Sequence, residues 1–173
     1  MTTENQVMID LIGFINAALT KLNVTGWSVL QSFQPTKGNF PQPYILVHKL
    51  SNTFIGQLQQ NSVDSTKSGQ LKQATFQIEA YKKRLPTDTY QTLTGGDVLE
   101  YVRNWFMGDA AQKALRAKGS NVLRVDGIVN PQFETETDTW QISPNFTLDL
   151  MYKQTYSEET SSITSADGIL VGI

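Results

Sequence analysis

Apolar residues recur at spacings of three and four between Glu4 and Leu22, which predicts an amphipathic helix at the start of the chain. The stripe that this helix would bury consists of Met8, Leu11, Ile12, Ile15, Leu19 and Leu22. Asn23 and Gly26 follow it, and both residue types are common just past the end of a helix. A short strand is predicted from Trp27 to Phe33, before a loop that contains three prolines and one glycine.

Two central segments have the apolar patterns of strands. The first, Tyr44 to Leu50, is almost continuously apolar and rich in branched residues, which predicts a strand buried on most of both faces. The second, Leu71 to Leu85, alternates between apolar and polar positions and predicts a half-exposed strand of about ten residues. The polar stretch from Ser62 to Gly69 is interpreted as a flexible connection between them.

A second helical region lies in the centre of the chain. Thr94 and Asp97 occupy the cap and third positions of its first helix. The predicted buried stripe of that helix is Val98, Tyr101, Val102 and Trp105. A further helical piece is predicted with Asp109 as its candidate cap and Gly119 as its stop. The pattern leaves open whether Gly108 kinks one helix or separates two.

Two strands are predicted to end the domain, from Asn121 to Asn130 and from Asn145 to Tyr156. The order of elements favours an α+β fold, with a single mixed or antiparallel sheet and two main helices packed on one face. We expect residues 1–156 to form this core domain. Residues 157–173 are expected to form a polar C-terminal arm that ends in an apolar segment.

The composition of the chain excludes several kinds of function. The net charge is -2 and no long basic run is present, so binding to nucleic acid through phosphates, and sequence-specific recognition with it, is not expected. The chain has no cysteine, which excludes disulfides and thiolate chemistry. No apolar run approaches the roughly 18 residues of a membrane span, so no membrane partner is expected. Charged residues are only 17%, which suits either a protein that pairs with other subunits or a lineage-dependent composition.

Few residues have the types and spacing of a catalytic or metal-binding site. His48 is the only histidine and has no identifiable acid or nucleophile beside it, so a structural role is favoured over that of a general base. Glu134, Glu136 and Asp138 alternate and could hold a hard cation, but a solvated hairpin tip is favoured because the spacing of a calcium loop is absent. Neither a phosphate-binding loop nor a nucleophile elbow is present. The sequence therefore predicts no catalytic, cofactor-binding or metal-binding residues.

A resemblance to a known family is carried by four segments: LIGFINAAL, ATFQIEAYKKR, GGDVLEYVRNWF and the closing FTLDLMYKQTY with its polar acidic tail. Together they resemble the tail terminator and neck, or head-tail joining, proteins of tailed bacteriophages. The resemblance covers nearly the whole chain and rests on a shared pattern of elements. It implies an α+β subunit that assembles, usually as a hexameric ring, at the end of the tail tube and docks it to the head or neck.

On this basis we expect a structural virion protein and not an enzyme, with no cofactor. It would belong to the tail or neck of the virion and to the host cytoplasm during assembly. Its expected partners are copies of itself, the tail tube protein and head-tail connector or neck proteins, with DNA passing through the ring. A tail tube subunit or another tail component is the alternative, and a small-molecule-binding or enzymatic α+β domain is a less favoured one.

Two candidate subunit interfaces follow from physical argument alone. The first comprises the outward side chains of the last strand, which could meet the next subunit if that strand lies at a sheet edge. These residues are Thr147, Asp149, Met151 and Lys153. The second is the apolar end of the arm, which could add a strand to a neighbouring protein or fold back on its own core. These residues are Ile169, Leu170, Val171 and Ile173.

Overall fold

The computed structural model describes residues 4–32, 43–60, 67–83, 87–89, 92–134 and 140–157. Within them lie three helices, α1 (Glu4–Lys21), α2 (Gly95–Met107) and α3 (Asp109–Ala117). The strands in the same residues are β1 (Ser28–Gln31), β2 (Tyr44–Gln60), β3 (Lys67–Tyr81), β4 (Ser120–Val125), β5 (Gln132–Glu134), β6 (Trp140–Ile142) and β7 (Asn145–Ser157).

Five of the strands form one mixed sheet in the order β1-β2-β3-β7-β4. β1 runs parallel to β2, and the other neighbours in this sheet are antiparallel. β5 and β6 form a separate two-stranded ribbon. The predicted α+β class is confirmed, and of the two sheet types considered from the sequence, the mixed one is found.

The hydrophobic core lies between the helices and one face of this sheet. Alternation along β3 and β7 sends every second side chain into the core, as the sequence predicts. The buried members from these two strands are Ala74, Phe76, Ile78, Ala80, Phe146, Leu148, Leu150 and Tyr152. They belong to the same cluster as the buried residues of all three helices, so the helices share one face of the sheet.

Helix α1 follows the prediction closely, since it begins at Glu4 and ends one residue before the predicted end. Leu11 and Ile15 are fully buried, as expected from the stripe. Leu22 is 40% exposed, however, and its assignment to the buried stripe is wrong. The helix has ended there, and Asn23 adopts a positive φ of 55°, which is common just past the end of a helix.

Helix α2 begins with the predicted capping box. Thr94 Oγ1 accepts a hydrogen bond from the Asp97 amide at 3.2 Å, and Asp97 Oδ2 accepts one from the Thr94 amide at 2.8 Å. Gly108 is extended, with φ -78° and ψ 145°, so it separates α2 from α3. It also takes the cap position of α3 without a side-chain hydrogen bond, which makes the prediction of Asp109 as that cap wrong.

The buried stripe of α2 differs from the predicted one. Val98 and Val102 are buried as expected, but Tyr101 is 42% exposed and Trp105 is only partly buried. Leu99 and Phe106, each 0% exposed, take their places. The buried face of the helix therefore includes Leu99 and Phe106 in place of Tyr101 and Trp105, and the helix packs on β3, β7 and β4.

The β2–β3 hairpin is longer than predicted. β2 continues past Leu50 to Gln60 and β3 begins at Lys67, so the stretch interpreted as flexible is partly strand. The pairing includes bulges near Leu50 and between Ile55 and Gln59. Ile45 and Val47 are fully buried on one face of β2, whereas Tyr44, Leu46 and His48 on the other face are only partly buried, so the predicted burial of most of both faces is found only in part.

β4 is shorter than predicted and ends at Val125, with a single bridge between Val129 and Asn145 beyond it. β7 matches the predicted strand to within one residue at its end. Residues 158–173, which make up nearly all of the predicted C-terminal arm, lie outside the described residues, so the division at residue 156 stays a prediction.

The assignment of the buried face of α2 can be tested by comparing the stability of two variants. We expect Phe106→Ala to lower the free energy of unfolding by about 3–5 kcal/mol, because it empties a fully buried position. Tyr101→Ala on the same helix should cost about 1 kcal/mol or less. Urea unfolding followed by circular dichroism measures both. Equal losses, or a larger loss at Tyr101, would show that the sequence-predicted stripe is the buried one.

Candidate assembly surfaces

The face of the five-stranded sheet opposite the helices, here called the open face, carries polar and aromatic side chains. On β3 it presents Thr75, Gln77 and Tyr81, all partly buried, together with the buried Glu79. The same alternation that fills the core produces this face, because neighbouring residues of a strand point to opposite sides. A half-exposed strand and helices on one face of the sheet, both predicted from the sequence, imply such a face.

The four outward residues predicted on the last strand all lie on β7, in the alternate positions of the open face. Thr147, Asp149 and Met151 are half-buried and Lys153 is exposed. Asp149 Oδ1 accepts a hydrogen bond of 2.6 Å from Thr75 Oγ1 on β3. The Lys153 side chain lies directly over Gly69, where a Cβ would collide with it. Two of the four are therefore engaged with the neighbouring strand.

The proposed interface required β7 to lie at an edge of the sheet, and this prediction is wrong for most of the strand. β7 lies between β3 and β4, and its register with β4 runs from Leu148 to Tyr152. Before this register, Asn145 and Thr147 form backbone hydrogen bonds with Val129 and Asp126 on the same side. Among the described residues, the part of β7 from Lys153 to Ser157 has no partner strand on that side. The reason is topological, since a strand late in the sequence has paired in the interior of the sheet. The four residues remain predicted contact residues. Their side chains would make the contact, and not the backbone of a strand edge.

A cluster of polar groups lies at one end of the open face, around Glu79. His48 Nε2 lies 3.1 Å from Glu79 Oε2, and Ser143 Oγ donates a short hydrogen bond to Glu79 Oε1. The rings of Tyr44 and Tyr81 stack beside them, with 4.9 Å between centroids. Glu79 is only 8% exposed, and its partners supply the hydrogen bonds that a buried carboxylate requires.

Both tyrosines of this cluster hold their protons strongly. Burial raises the pKa of Tyr81 to about 12, and the neighbouring Glu79 adds to the effect. Burial also raises the pKa of Tyr44, again with a contribution from the Glu79 charge. A neutral phenol beside a carboxylate donates a hydrogen bond and does not act as a base at neutral pH. The arrangement thus supports a structural part for His48 and Glu79.

Most of the other candidate residues lie outside the described part of the chain. Glu134 ends β5 and pairs with Trp140 across the ribbon, whereas Glu136 and Asp138 lie outside the described residues. Ile169, Leu170, Val171 and Ile173 are also outside them. The described part of the chain contains no group of three or more His, Asp or Glu side chains that could hold a metal ion. It also contains no helix with the length and apolar composition needed to cross a membrane.

Sequence reasoning missed the outer edge of β2. β1 pairs with β2 only from Tyr44 to Val47, so the edge beyond has no partner strand among the described residues. Leu50 and Phe54 on this stretch are 55% and 58% exposed. The sequence signal for this edge was the presence of large apolar residues in the otherwise polar segment SNTFIGQLQQ, residues 51–60.

Comparison with known proteins identifies a family. The family model described as E217 gateway protein gp29 matches residues 6–162, which covers all of the helices and strands except the first two residues of α1. The chain belongs to this family. It is therefore a bacteriophage structural protein, in agreement with the coarse form of the resemblance seen in the sequence. A search of curated proteins finds no match.

The tyrosine cluster predicts a specific alkaline behaviour. Because the pKa of Tyr81 is raised from 10.0 to about 12, the folded state holds a proton that the unfolded state releases. This stabilisation is complete below pH 10 and is lost as the pH rises toward 12. We expect Tyr81→Phe to flatten the fall in unfolding free energy over this range, and to remove one phenolate that forms near pH 12 in an ultraviolet titration. An unaltered titration curve in this variant would contradict the assignment.

Proposed function

We propose that this chain is a subunit of a ring at the head-tail junction of a tailed-phage virion, in the role of a tail terminator or neck protein. The observation that carries the proposal is the family match over residues 6–162 to a protein described as a gateway protein. Such a ring would cap the tail tube and join it to the head. The hexameric state, usual for proteins of the resembled class, is part of the proposal.

The surface of the subunit supports assembly in physical terms. The open face is polar but contains few free charges, and Thr75 and Asp149 already satisfy each other. Desolvating hydroxyls and amides that find partners costs less than desolvating unpaired charges. The edge of β2 that has no partner strand among the described residues adds backbone groups that a neighbouring protein can use. These features fit a protein whose surfaces become buried in a larger particle.

We further propose that the chain has no catalytic activity and needs no cofactor. His48, the only histidine, is held against the buried Glu79, and that carboxylate is shared with Ser143. A general base needs a free lone pair directed at a substrate, and this cluster instead uses its polar groups on one another. The alternative within the virion is a tail tube subunit or another tail component. Tube proteins stack into long polymers, whereas a terminator caps a tube and stops.

The proposed partners are other copies of the chain, the tail tube protein, and the head-tail connector or neck proteins. The proposed location is the tail or neck of the virion, after assembly in the host cytoplasm. DNA would pass through the ring without sequence-specific contact, which is consistent with the net charge of -2.

Native mass spectrometry of the purified chain tests the ring. We expect a single closed oligomer, or a monomer that forms this oligomer when tail tubes are added. His48→Gln should assemble equally well, because glutamine can still donate a hydrogen bond to Glu79. A chain that stays monomeric in the presence of tail tubes and binds a small molecule saturably would favour the alternative of a small-molecule-binding domain. Long polymers formed by the chain alone would favour a tail tube subunit.

The predicted arm can be tested separately by ending the chain at Ser165. We expect this variant to stay folded, with little change in melting temperature, but to lose the stable ring or its joining to tails. The removed residues include the apolar Ile169, Leu170, Val171 and Ile173. Should the variant lose several kcal/mol of stability as a monomer, these residues belong to its own core.

A further inference from the structure

Two stretches of strand on opposite sides of the sheet have unpaired outer edges among the described residues. The first is residues 51–55 of β2, beyond the part that β1 covers. The second is β4, which is the last strand on the other side. The two edges are unlike in sequence, so they can form a contact in which different surfaces of two copies meet.

The registers place these two edges at the same height in the sheet. Thr53 lies opposite Gln73, Gln73 opposite Met151, and Met151 opposite Asn121. A second row, two residues further along β2 toward its start, runs from Ser51 through Thr75 and Asp149 to Arg124. A rotation about an axis along the strands would therefore bring the free stretch of β2 level with β4 of the next copy.

The strand directions also match. β2 and β3 are antiparallel, as are β3 and β7, and β7 and β4. Three reversals leave β4 running opposite to β2. Copies related by rotation about a ring axis along the strands keep the same direction, so β2 of one copy would meet β4 of the next as an antiparallel pair.

The chemistry of the two edges favours a protein strand as the occupant. Residues 51–55 read SNTFI and contain none of the prolines or lysines that usually protect an edge. Register is regular there, between bulges near Leu50 and after Ile55. Phe54 is 58% exposed on this edge, and Leu123, at the bulge of β4, is 47% exposed on the other. Pairing the edges would cover backbone groups and apolar side chains together.

We propose that residues 51–55 of β2 in one copy pair antiparallel with β4 of a second copy, which joins the sheets of neighbouring subunits. This inference rests on the proposed ring, and it names the surfaces that close it. A contact between unlike edges repeats around a ring until the first and last copies meet. The outward side chains of β7 then lie on the continuous open face near the joint and not at its edge.

Disulfide cross-linking tests the pairing directly, because the natural chain has no cysteine. Thr53→Cys and Asn121→Cys place thiols on the same row and the same face. Across an antiparallel pair they would stand about 4.5–5.5 Å apart at Cα, within the range of a disulfide. We expect the double variant to shift most of the chain into covalent oligomers after mild oxidation. Each single variant alone should stay uncross-linked, and a mixture of the two should give covalent dimers.

A matched control replaces Asn121 by an exposed position on α3, as Thr53→Cys with Lys113→Cys. Equal cross-linking in this control, or a native oligomer of the double variant that stays uncross-linked, would overturn the edge pairing and leave the proposed ring standing. If native mass spectrometry finds no oligomer even with tail tubes, the ring proposal fails and this inference fails with it.

Hydrogen exchange of the unsubstituted protein is a second test of the edge pairing. It avoids any effect of the introduced cysteines on assembly. We expect amides in residues 51–55 and in β4 to exchange more slowly in the oligomer than in the monomer obtained by dilution, with little change in α3. Slowing confined to other segments would overturn the proposal.

Discussion

The long antiparallel pairing of β3 with β7 is the constraint on which the rest of this structure depends. It extends from Lys67 opposite Ser157 to Glu79 opposite Asn145 without a break in register. Because side chains alternate strictly along both strands, this single register decides which residues enter the core and which form the open face. It also places β7 in the interior of the sheet, so the edges are β4 on one side and, on the other, β1 and the part of β2 that β1 does not cover.

The two faces of the sheet have different physical roles. On the helix side, apolar burial supplies the stability of the fold, and residues such as Phe76 and Phe146 are almost fully excluded from water. On the open side, polar groups satisfy one another locally, as Thr75 does with Asp149 and Ser143 with Glu79. A face of this kind stays compatible with water before assembly and can be covered afterwards without stranding a charge.

Strong local periodicity made part of the fold predictable. α1 and β7 were found from the sequence because their apolar residues follow one period over many residues. The face of α2 was not, because Val98 and Val102 are flanked by apolar residues on both sides. Only packing against the sheet selects Leu99 and Phe106 over Tyr101 and Trp105.

Features that depend on pairing between strands far apart in the chain could not be predicted from the sequence. The extension of β2 through a polar segment with Gly56 at φ 73° exists because β3 pairs with it. The interior place of β7, the contact between His48 and Glu79, and the free edge of β2 have the same cause. The family resemblance indicated a phage structural protein, but the surfaces that we propose for its assembly could be identified only from the order of strands.

We propose that this chain joins phage heads to tails as a structural ring. The decisive experiment is electron microscopy of particles made by a phage whose copy of this chain is interrupted by an early stop codon. We expect filled or fillable heads and separate tails, with joining restored when the purified chain is added. Complete, infectious particles assembled without the chain would contradict it.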